Sequence, residues 1–235
     1  MSTPDTPFAQ PIWQTLTRLG EAQILLPALL LACLWLVLRP SGRPLGLAWL
    51  VATVVAASLT TATKVVFIGY GLGWAPLDFT GISGHAMFAA AVLPLLLRLA
   101  ASGLAPGWQT AALAAGFGLA GTVAVSRVMV LAHSWSEVLA GFALGGGVSL
   151  MALYAGPMPT WRLPPWVPAA VLAWAALGVA GAPPSRTHDW VTKMALLQSG
   201  RSQPYKRCEM QLDYQQRGGL PARPPGVPST SMQPR

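Results

Sequence analysis

Long, uninterrupted apolar runs are the feature of this sequence that most restricts how it can fold. Hydrophobic residues make up 53% of the 235 residues and charged residues only 9%, whereas a soluble domain carries about 25% charged residues. A helix needs about 20 mostly apolar residues to cross a bilayer, and barrel strands would instead show short alternating segments. Six runs approach this length, at residues 22–38, 45–69, 85–101, 110–131, 135–154 and 166–182. The sequence therefore predicts an all-α, polytopic transmembrane helical bundle with about six spans.

The basic residues are concentrated towards the C-terminal end of the sequence. Lys and Arg together number 15 against seven Asp and Glu, and eight of the 15 follow Ala182 in a segment rich in Pro, Gln, Ser and Gly. Such a flank suits anionic lipid head groups, so we expect the lipid bilayer as a partner and no nucleic acid. Cys33 and Cys208 form neither a disulfide framework nor a set of metal ligands.

These patterns divide the chain into three parts. Residues 1–21 are an N-terminal segment, residues 22–182 are the transmembrane domain, and residues 183–235 are a basic tail that we expect to be mostly disordered. Within the tail, Trp190 and Met194 lie at helical spacing, which predicts a short amphipathic helix over residues 188–198 on the membrane surface.

Charged residues are scarce in the apolar part of the chain, where each costs about 2.5–3.5 kcal/mol to insert into a bilayer. Between Pro44 and Trp161 there are five, and each is a functional candidate by default: Lys64, Asp78, Arg98, Arg127 and Glu137. Arg98 ends a predicted span and can extend to the interface. Asp78 lies in a loop, either as a cap or as a modulator that pairs with Lys64 or Arg127.

The stretch "FTGISGHAM" begins the third predicted span with small and polar residues. Ser83, Gly84 and His85 stand where the unpaired N–H groups and the positive end of the helix dipole favour an anion. A plain helix cap is the alternative interpretation.

The stretch "SRVMVLAHSWSE" connects the fourth and fifth predicted spans. Ser126 and Arg127 end one span, and an arginine there favours an anionic partner such as phosphate. His133 and Glu137 are four residues apart, so the carboxylate can reach an imidazole nitrogen and fix its tautomer. The alternative is an ion pair that only holds two helices together.

Antiparallel helices bring the second-to-third and the fourth-to-fifth connections to the same membrane face. We therefore expect an anion pocket with a nucleophile and a proton donor between the second and third helices and the fourth and fifth helices. Phosphoryl chemistry fits this combination best.

At residues 64–145 the chain resembles the type 2 phosphatidic acid phosphatases, whose motifs are Lys-x6-Arg-Pro, Pro-Ser-Gly-His and Ser-Arg-x5-His-x3-Asp. The second motif is matched by "ISGH" and the third by "SRVMVLAHSWSE", with the same spacing between arginine and histidine. Three positions differ from the motifs: Gly71 stands in place of the arginine, Ile82 in place of the proline and Glu137 in place of the aspartate.

The resemblance implies a phosphatase that needs no metal or other cofactor. His133 would be the nucleophile that forms a phosphohistidine, His85 the general acid, and Glu137 the partner of His133. The residues that would bind the substrate phosphate are Lys64, Ser83, Gly84, Ser126 and Arg127.

We therefore expect an integral membrane phosphatase that hydrolyses a lipid phosphate or diphosphate. Two alternatives stay open: a transferase of lipid phosphoryl or head groups, and a catalytically impaired protein that binds lipid phosphate, which Gly71 and Glu137 motivate. The arginines of the connections follow the first, third and fifth predicted spans, so the positive-inside rule places the site outside the cytoplasm of a bacterial inner membrane. Six spans put the tail on the same side, and the sequence leaves open whether residues 166–182 fully span, which lipid is bound and how many subunits assemble.

Overall fold

The computed structural model describes residues 9–159, 170, 173, 174, 178 and 187–218. Across these residues the secondary structure is helical, with one isolated bridge between Trp74 and Phe79 and no β-strand. The α-helices are α1 (Ala9–Arg18), α2 (Ala22–Val37), α3 (Arg43–Tyr70), α4 (Gly84–Ala100), α5 (Pro106–Met129), α6 (Trp135–Ala155), α7 (Thr187–Ser199) and α8 (Arg207–Gln216), and a 3-10 turn covers Ala75–Leu77. The expected all-α class is confirmed.

Four helical stretches are long and apolar enough to cross a membrane: Pro11–Val37, Arg43–Tyr70, Pro106–Met129 and Trp135–Ala155. Helix α4 is also apolar but is shorter, at 17 residues. The predicted span 166–182 falls almost entirely outside the described residues. Large apolar side chains such as Val55, Leu139 and Leu150 point outwards, as expected of helices that face lipid.

The helix contacts show which ends of the helices meet. The Ser149 hydroxyl of α6 donates to the Ala90 carbonyl of α4 at 2.7 Å, and about one turn earlier in both helices Gly145 lies against Met87. Helices α4 and α6 therefore run parallel to each other. Gly156, after the end of α6, lies against Leu45 at the start of α3, so α3 runs in the opposite direction.

Close packing between α4 and α6 depends on glycine. A Cβ on Gly145 would lie 2.1 Å from the Met87 carbonyl oxygen, and one on Gly141 would lie 2.5 Å from the Ser83 carbonyl oxygen. Small residues allow two helix backbones to approach this closely. The contact fixes the first turn of α4 against the first turns of α6.

In the described part of the C-terminal tail, residues 187–218, the structure has two helices; that the tail as a whole is mostly disordered stays a prediction. Its helix α7 includes the predicted residues 188–198 and buries Val191 and Ala195 on α3, while Met210 of α8 joins the same apolar cluster as Val65 and Ile68 of α3. A few well-placed apolar residues are enough to dock a polar segment on a surface that already exists. The boundaries of the three predicted segments stay a prediction.

Candidate active site

The start of α4 is hydrogen-bonded to α6, and it carries a buried hydroxyl group that is available to a ligand. Ser83 is the N-cap of α4, and its backbone N–H donates to the Glu137 carbonyl at 3.1 Å. Its side chain is fully buried, and Oγ has no hydrogen-bond partner among the described residues. Gly81 precedes it with φ +146°, and a Cβ there would lie 3.0 Å from Cγ of Lys64. Glycine thus allows the loop to pass directly over Lys64.

Helix α3 places a cation beside these donors. The Nζ atom of Lys64 lies 4.0 Å from where a Cβ of Gly84 would be. Thr60 is one turn earlier on the same face, and its buried Oγ1 also has no partner among the described residues. Lys64 and Thr60 therefore face the first residue of α4, at the positive end of its dipole.

The last turn of α5 contributes a second cation. Nη1 of Arg127 donates to Oγ1 of Thr17 in α1 at 2.9 Å, while Nε is buried with no partner within the described part of the chain. Ser126 is fully buried, and its hydroxyl donates to the Val123 carbonyl at 2.6 Å. The structure thus leaves a guanidinium N–H available for a ligand but occupies the hydroxyl of Ser126 within its own helix.

His133 and Glu137 form the predicted pair at the start of α6. Nδ1 of His133 lies 2.6 Å from Oε2 of Glu137, whose side chain is 0% exposed. The same oxygen accepts the Ser134 backbone N–H at 3.1 Å as part of a capping box. Because a carboxylate only accepts, Nδ1 carries the proton and Nε2 keeps its lone pair.

Burial lowers the pKa of the His133 imidazole, the hydrogen bond that His133 donates to Glu137 opposes this effect, and the positive charge of Lys64 lowers the pKa further. The net direction is downwards, which favours a neutral imidazole at neutral pH.

Arg207 of α8 reaches the same carboxylate, and sequence reasoning missed it. Its Nη2 donates to Oε1 and Oε2 of Glu137 at 2.8 and 2.9 Å. Its Nη1 donates to the Asp78 carbonyl at 2.9 Å and pairs with the Asp78 carboxylate. The sequence leaves Asp78 open as a loop cap or as a modulator that pairs with Lys64 or Arg127; in the structure its ion-pair partner is Arg207. The sequence signal that could have indicated a helix here is Glu209. It is the third residue of α8, and it accepts the Lys206 N–H at 3.1 Å, as a glutamate at that position does at the start of a helix.

Thr80 is a further residue of the site that sequence reasoning missed, as are Thr60 and Thr17. Its backbone N–H donates to Oε1 of Glu137 at 2.7 Å, and its hydroxyl donates to the same oxygen. The loop before α4 is therefore fastened to α6 through Glu137.

The predicted site residues converge at one end of the bundle. Arg127, Lys64 and His133 lie close enough to His85 for electrostatic interaction with it. A cleft of about 300 Å³ opens beside Lys64, between Thr80 on one side and His188, Tyr205 and Lys206 of the tail on the other. Among the described residues, no group of three or more His, Cys, Asp or Glu side chains is arranged to hold a metal ion.

Comparison with known proteins finds two similarities. The family model described as the PAP2 superfamily matches residues 68–161, a range that includes Ser83 to Glu137 and begins just after Lys64. The chain is 37% identical over 141 residues to an uncharacterized 22.5 kDa protein in the cps region of Klebsiella pneumoniae, which covers 60% of this chain and 68% of the relative. No solved structure gives a significant match.

Proposed function

The chain belongs to the PAP2 superfamily, and on that premise we propose that it is an integral membrane phosphatase that hydrolyses a lipid phosphate or diphosphate through a phosphohistidine intermediate. The observation that carries this proposal is the His133–Glu137 pair beside buried donors that lack a partner. Ser83 Oγ, Thr60 Oγ1 and Arg127 Nε are such donors within the described residues.

A buried donor left unpaired costs about 1–3 kcal/mol, so three of them in one place favour an acceptor-rich ligand. A phosphoryl group has only acceptor oxygens and carries negative charge. Lys64 and Arg127 supply the matching positive charge, and the Ser83 hydroxyl and the Gly84 N–H complete the binding of its oxygens. These fixed charges and donors stabilise the transition state because little reorganisation is needed as charge moves.

In the first step, Nε2 of His133 attacks phosphorus and the bond from phosphorus to the leaving oxygen breaks. His85, protonated once the phosphate is bound, gives its proton to that oxygen, so the lipid leaves as an alcohol or, from a diphosphate, as a monophosphate. Glu137 accepts the Nδ1 hydrogen throughout and holds the ring in place.

In the second step, a water molecule attacks the phosphohistidine. His85, now neutral, accepts the proton of the water as the nitrogen–phosphorus bond breaks. Inorganic phosphate leaves, and both histidines return to their starting states. The sum is hydrolysis of one phosphate ester or anhydride bond with one water.

The bilayer supplies the substrate and sets the compartment of the reaction. The site lies where α3 and α5 end and α4 and α6 begin, which corresponds to the connections that carry no arginine outside the motifs. We therefore place it at the periplasmic or external face of a bacterial inner membrane. The loop that contains Thr80 and the adjoining cleft are the surfaces that we expect to select the lipid head group.

The test is release of inorganic phosphate by purified protein from phosphatidic acid and from a polyprenyl diphosphate. His133→Ala should abolish release, while Leu131→Ala, on the same connection and exposed to solvent, should retain it. Brief reaction with 32P-labelled lipid should leave an acid-labile, base-stable label on the wild type and none on His133→Ala.

Other outcomes would point to the alternative functions. A modified acceptor lipid or sugar in place of free phosphate would indicate a transferase. Binding of lipid phosphate without turnover, unchanged in His133→Ala, would indicate a non-catalytic binding protein.

A further inference from the structure

The guanidinium of Arg207 joins three parts of the chain that are distant in sequence. It bonds both oxygens of Glu137 at the start of α6, and it bonds the backbone and side chain of Asp78 in the loop before α4. Nη2 donates to Glu137 and Nη1 donates to Asp78. This arrangement uses the planar, forked guanidinium of arginine, which lysine lacks.

The docking of α8 is a built contact with polar and apolar parts. The Tyr205 backbone N–H donates to the Ile68 carbonyl at 3.0 Å, and the Tyr205 ring packs edge-on against Phe67. Nε2 of Gln211 donates to Oδ1 of Asp78 at 2.9 Å, and Met210 is buried. These contacts fix the residues before and after Arg207 in the sequence, and they thereby hold Arg207 in place.

Gly71 makes room for this docking. It ends α3 in the left-handed conformation, with φ +71°, and a Cβ there would lie 3.4 Å from three atoms of the Tyr205 ring. A long side chain at position 71 would occupy the space of Tyr205 and strain the backbone. The arginine of α8 and the glycine of α3 are thus parts of one arrangement.

We propose that Arg207 is a positioning residue for the reaction, supplied by the C-terminal tail, which acts on His133 through Glu137. This inference rests on the proposed function and deepens it, because it makes the tail a required part of the catalytic site. By fixing both carboxylate oxygens, Arg207 keeps Oε2 aligned with Nδ1 of His133. By neutralising the carboxylate, it weakens the stabilisation of an imidazolium, so that His133 stays neutral and able to attack.

His188 and Lys206 of the tail line the cleft beside Lys64. The charged and titratable groups around His133 itself come from every element packed there. They are Lys64 of α3, Asp78 of the following loop, His85 of α4, Arg127 of α5, Glu137 of α6 and Arg207 of α8.

The experiment compares three variants with the wild type across pH. Arg207→Gln removes the charge and the fork, and it should lower kcat about 10- to 100-fold, the loss expected of charged hydrogen bonds, and move the acid limb of kcat/KM to higher pH. Arg207→Lys keeps the charge, so its acid limb should overlay that of the wild type while kcat falls less. Arg217→Gln removes a charge at the other end of α8 and should change neither.

A second measurement needs no turnover. Titration of the His133 imidazole by 15N NMR, without substrate, should show a higher midpoint in Arg207→Gln than in the wild type. Hydrogen exchange of the α8 amides reports in the same samples whether the helix remains docked.

An unmoved His133 midpoint in Arg207→Gln would overturn the inference, whether or not α8 undocks, because the arginine would then be structural only. If the wild type releases no phosphate from any lipid, the proposed function fails, yet the titration still decides the effect of Arg207 on His133. If the wild type is active and the titration is unchanged, only this inference fails.

Discussion

Glu137→Gln is the substitution that tests the site most directly, because it preserves shape and removes only the charge. Every described partner of the carboxylate is a donor: Thr80 and Arg207 on Oε1, and Ser134, Arg207 and His133 on Oε2. An amide has one acceptor and one donor group. Either orientation of glutamine therefore sets an NH2 group against an N–H donor.

The favoured orientation keeps the amide oxygen on Thr80 and Arg207 and turns the NH2 group towards His133. The imidazole then accepts at Nδ1 and carries its proton on Nε2, which removes the nucleophilic lone pair. Loss of the corresponding carboxylate in Ser-His-Asp triads lowers kcat about 10⁴-fold for this reason, and we expect a fall of about 10²–10⁴-fold with KM nearly unchanged.

The same substitution should reduce stability. Breaking a buried ion pair costs about 3–5 kcal/mol, but the side chain of Arg207 is 34% exposed and water offsets part of the loss. We expect the free energy of unfolding to fall by about 2–3 kcal/mol.

Phosphate release and thermal unfolding are measured on the same preparation, with Glu137→Asp as the control that keeps the charge. Glu137→Asp should retain the tautomer and most of the rate while losing the bond to Ser134. A rate for Glu137→Gln within a few fold of the wild type would refute the assigned tautomer and with it the role of His133.

Three further predictions follow from the geometry. Gly145→Ala should lower the free energy of unfolding by about 1–3 kcal/mol because its Cβ meets the α4 backbone. Gly147→Ala, whose Cβ would have nothing within 4 Å, should leave it unchanged. Denaturant unfolding of the two variants measures the difference. Arg127→Gln should lower kcat/KM about 10²–10³-fold, whereas Arg98→Gln, whose side chain bonds Gln109 at the other end of the bundle, should leave it unchanged; a normal rate for Arg127→Gln would exclude a phosphate contact. Because burial lowers the pKa of His133 and the neutral form attacks, the acid limb of kcat/KM should have its midpoint below the usual histidine pKa of about 6.5. An acid limb with its midpoint above that pH would contradict a neutral nucleophile.

The parts of the site that local spacing controls could be predicted from the sequence. His133 and Glu137 are one helical turn apart, and Ser83 begins a helix, so their geometry follows from a few neighbouring residues. The alternation of spans and short connections then brings both groups to one end of the bundle, since spans that follow each other in the sequence run in opposite directions.

The parts that depend on distant contacts could not be predicted. Arg207 meets Glu137 across 70 residues of sequence, and Arg127 meets Thr17 across 110. The composition of the tail resembles that of disordered chains, and composition carries no information about a docking surface elsewhere. Contacts made in the folded structure, such as the packing of Met210 and Ala195 on α3, show that the tail has a place to bind.

Glutamate at position 137, a departure from the aspartate of the resembled motif, has a structural explanation. The residue is the third of α6, where glutamate reaches back to the N–H of Ser134. Its longer side chain allows one carboxylate to cap the helix, orient His133 and receive Arg207.

The contact between Arg207 and Glu137 places α8 at the end of the bundle where the candidate site lies. Helix α6 begins at the site, and the chain that follows it lies against the start of α3, a helix of 28 residues and so about 42 Å long. The tail nevertheless returns to the end of the bundle from which α6 departed. A reporter enzyme fused after α8 should therefore report the side of the membrane that the candidate site faces and, under the proposed function, the compartment that receives the phosphate.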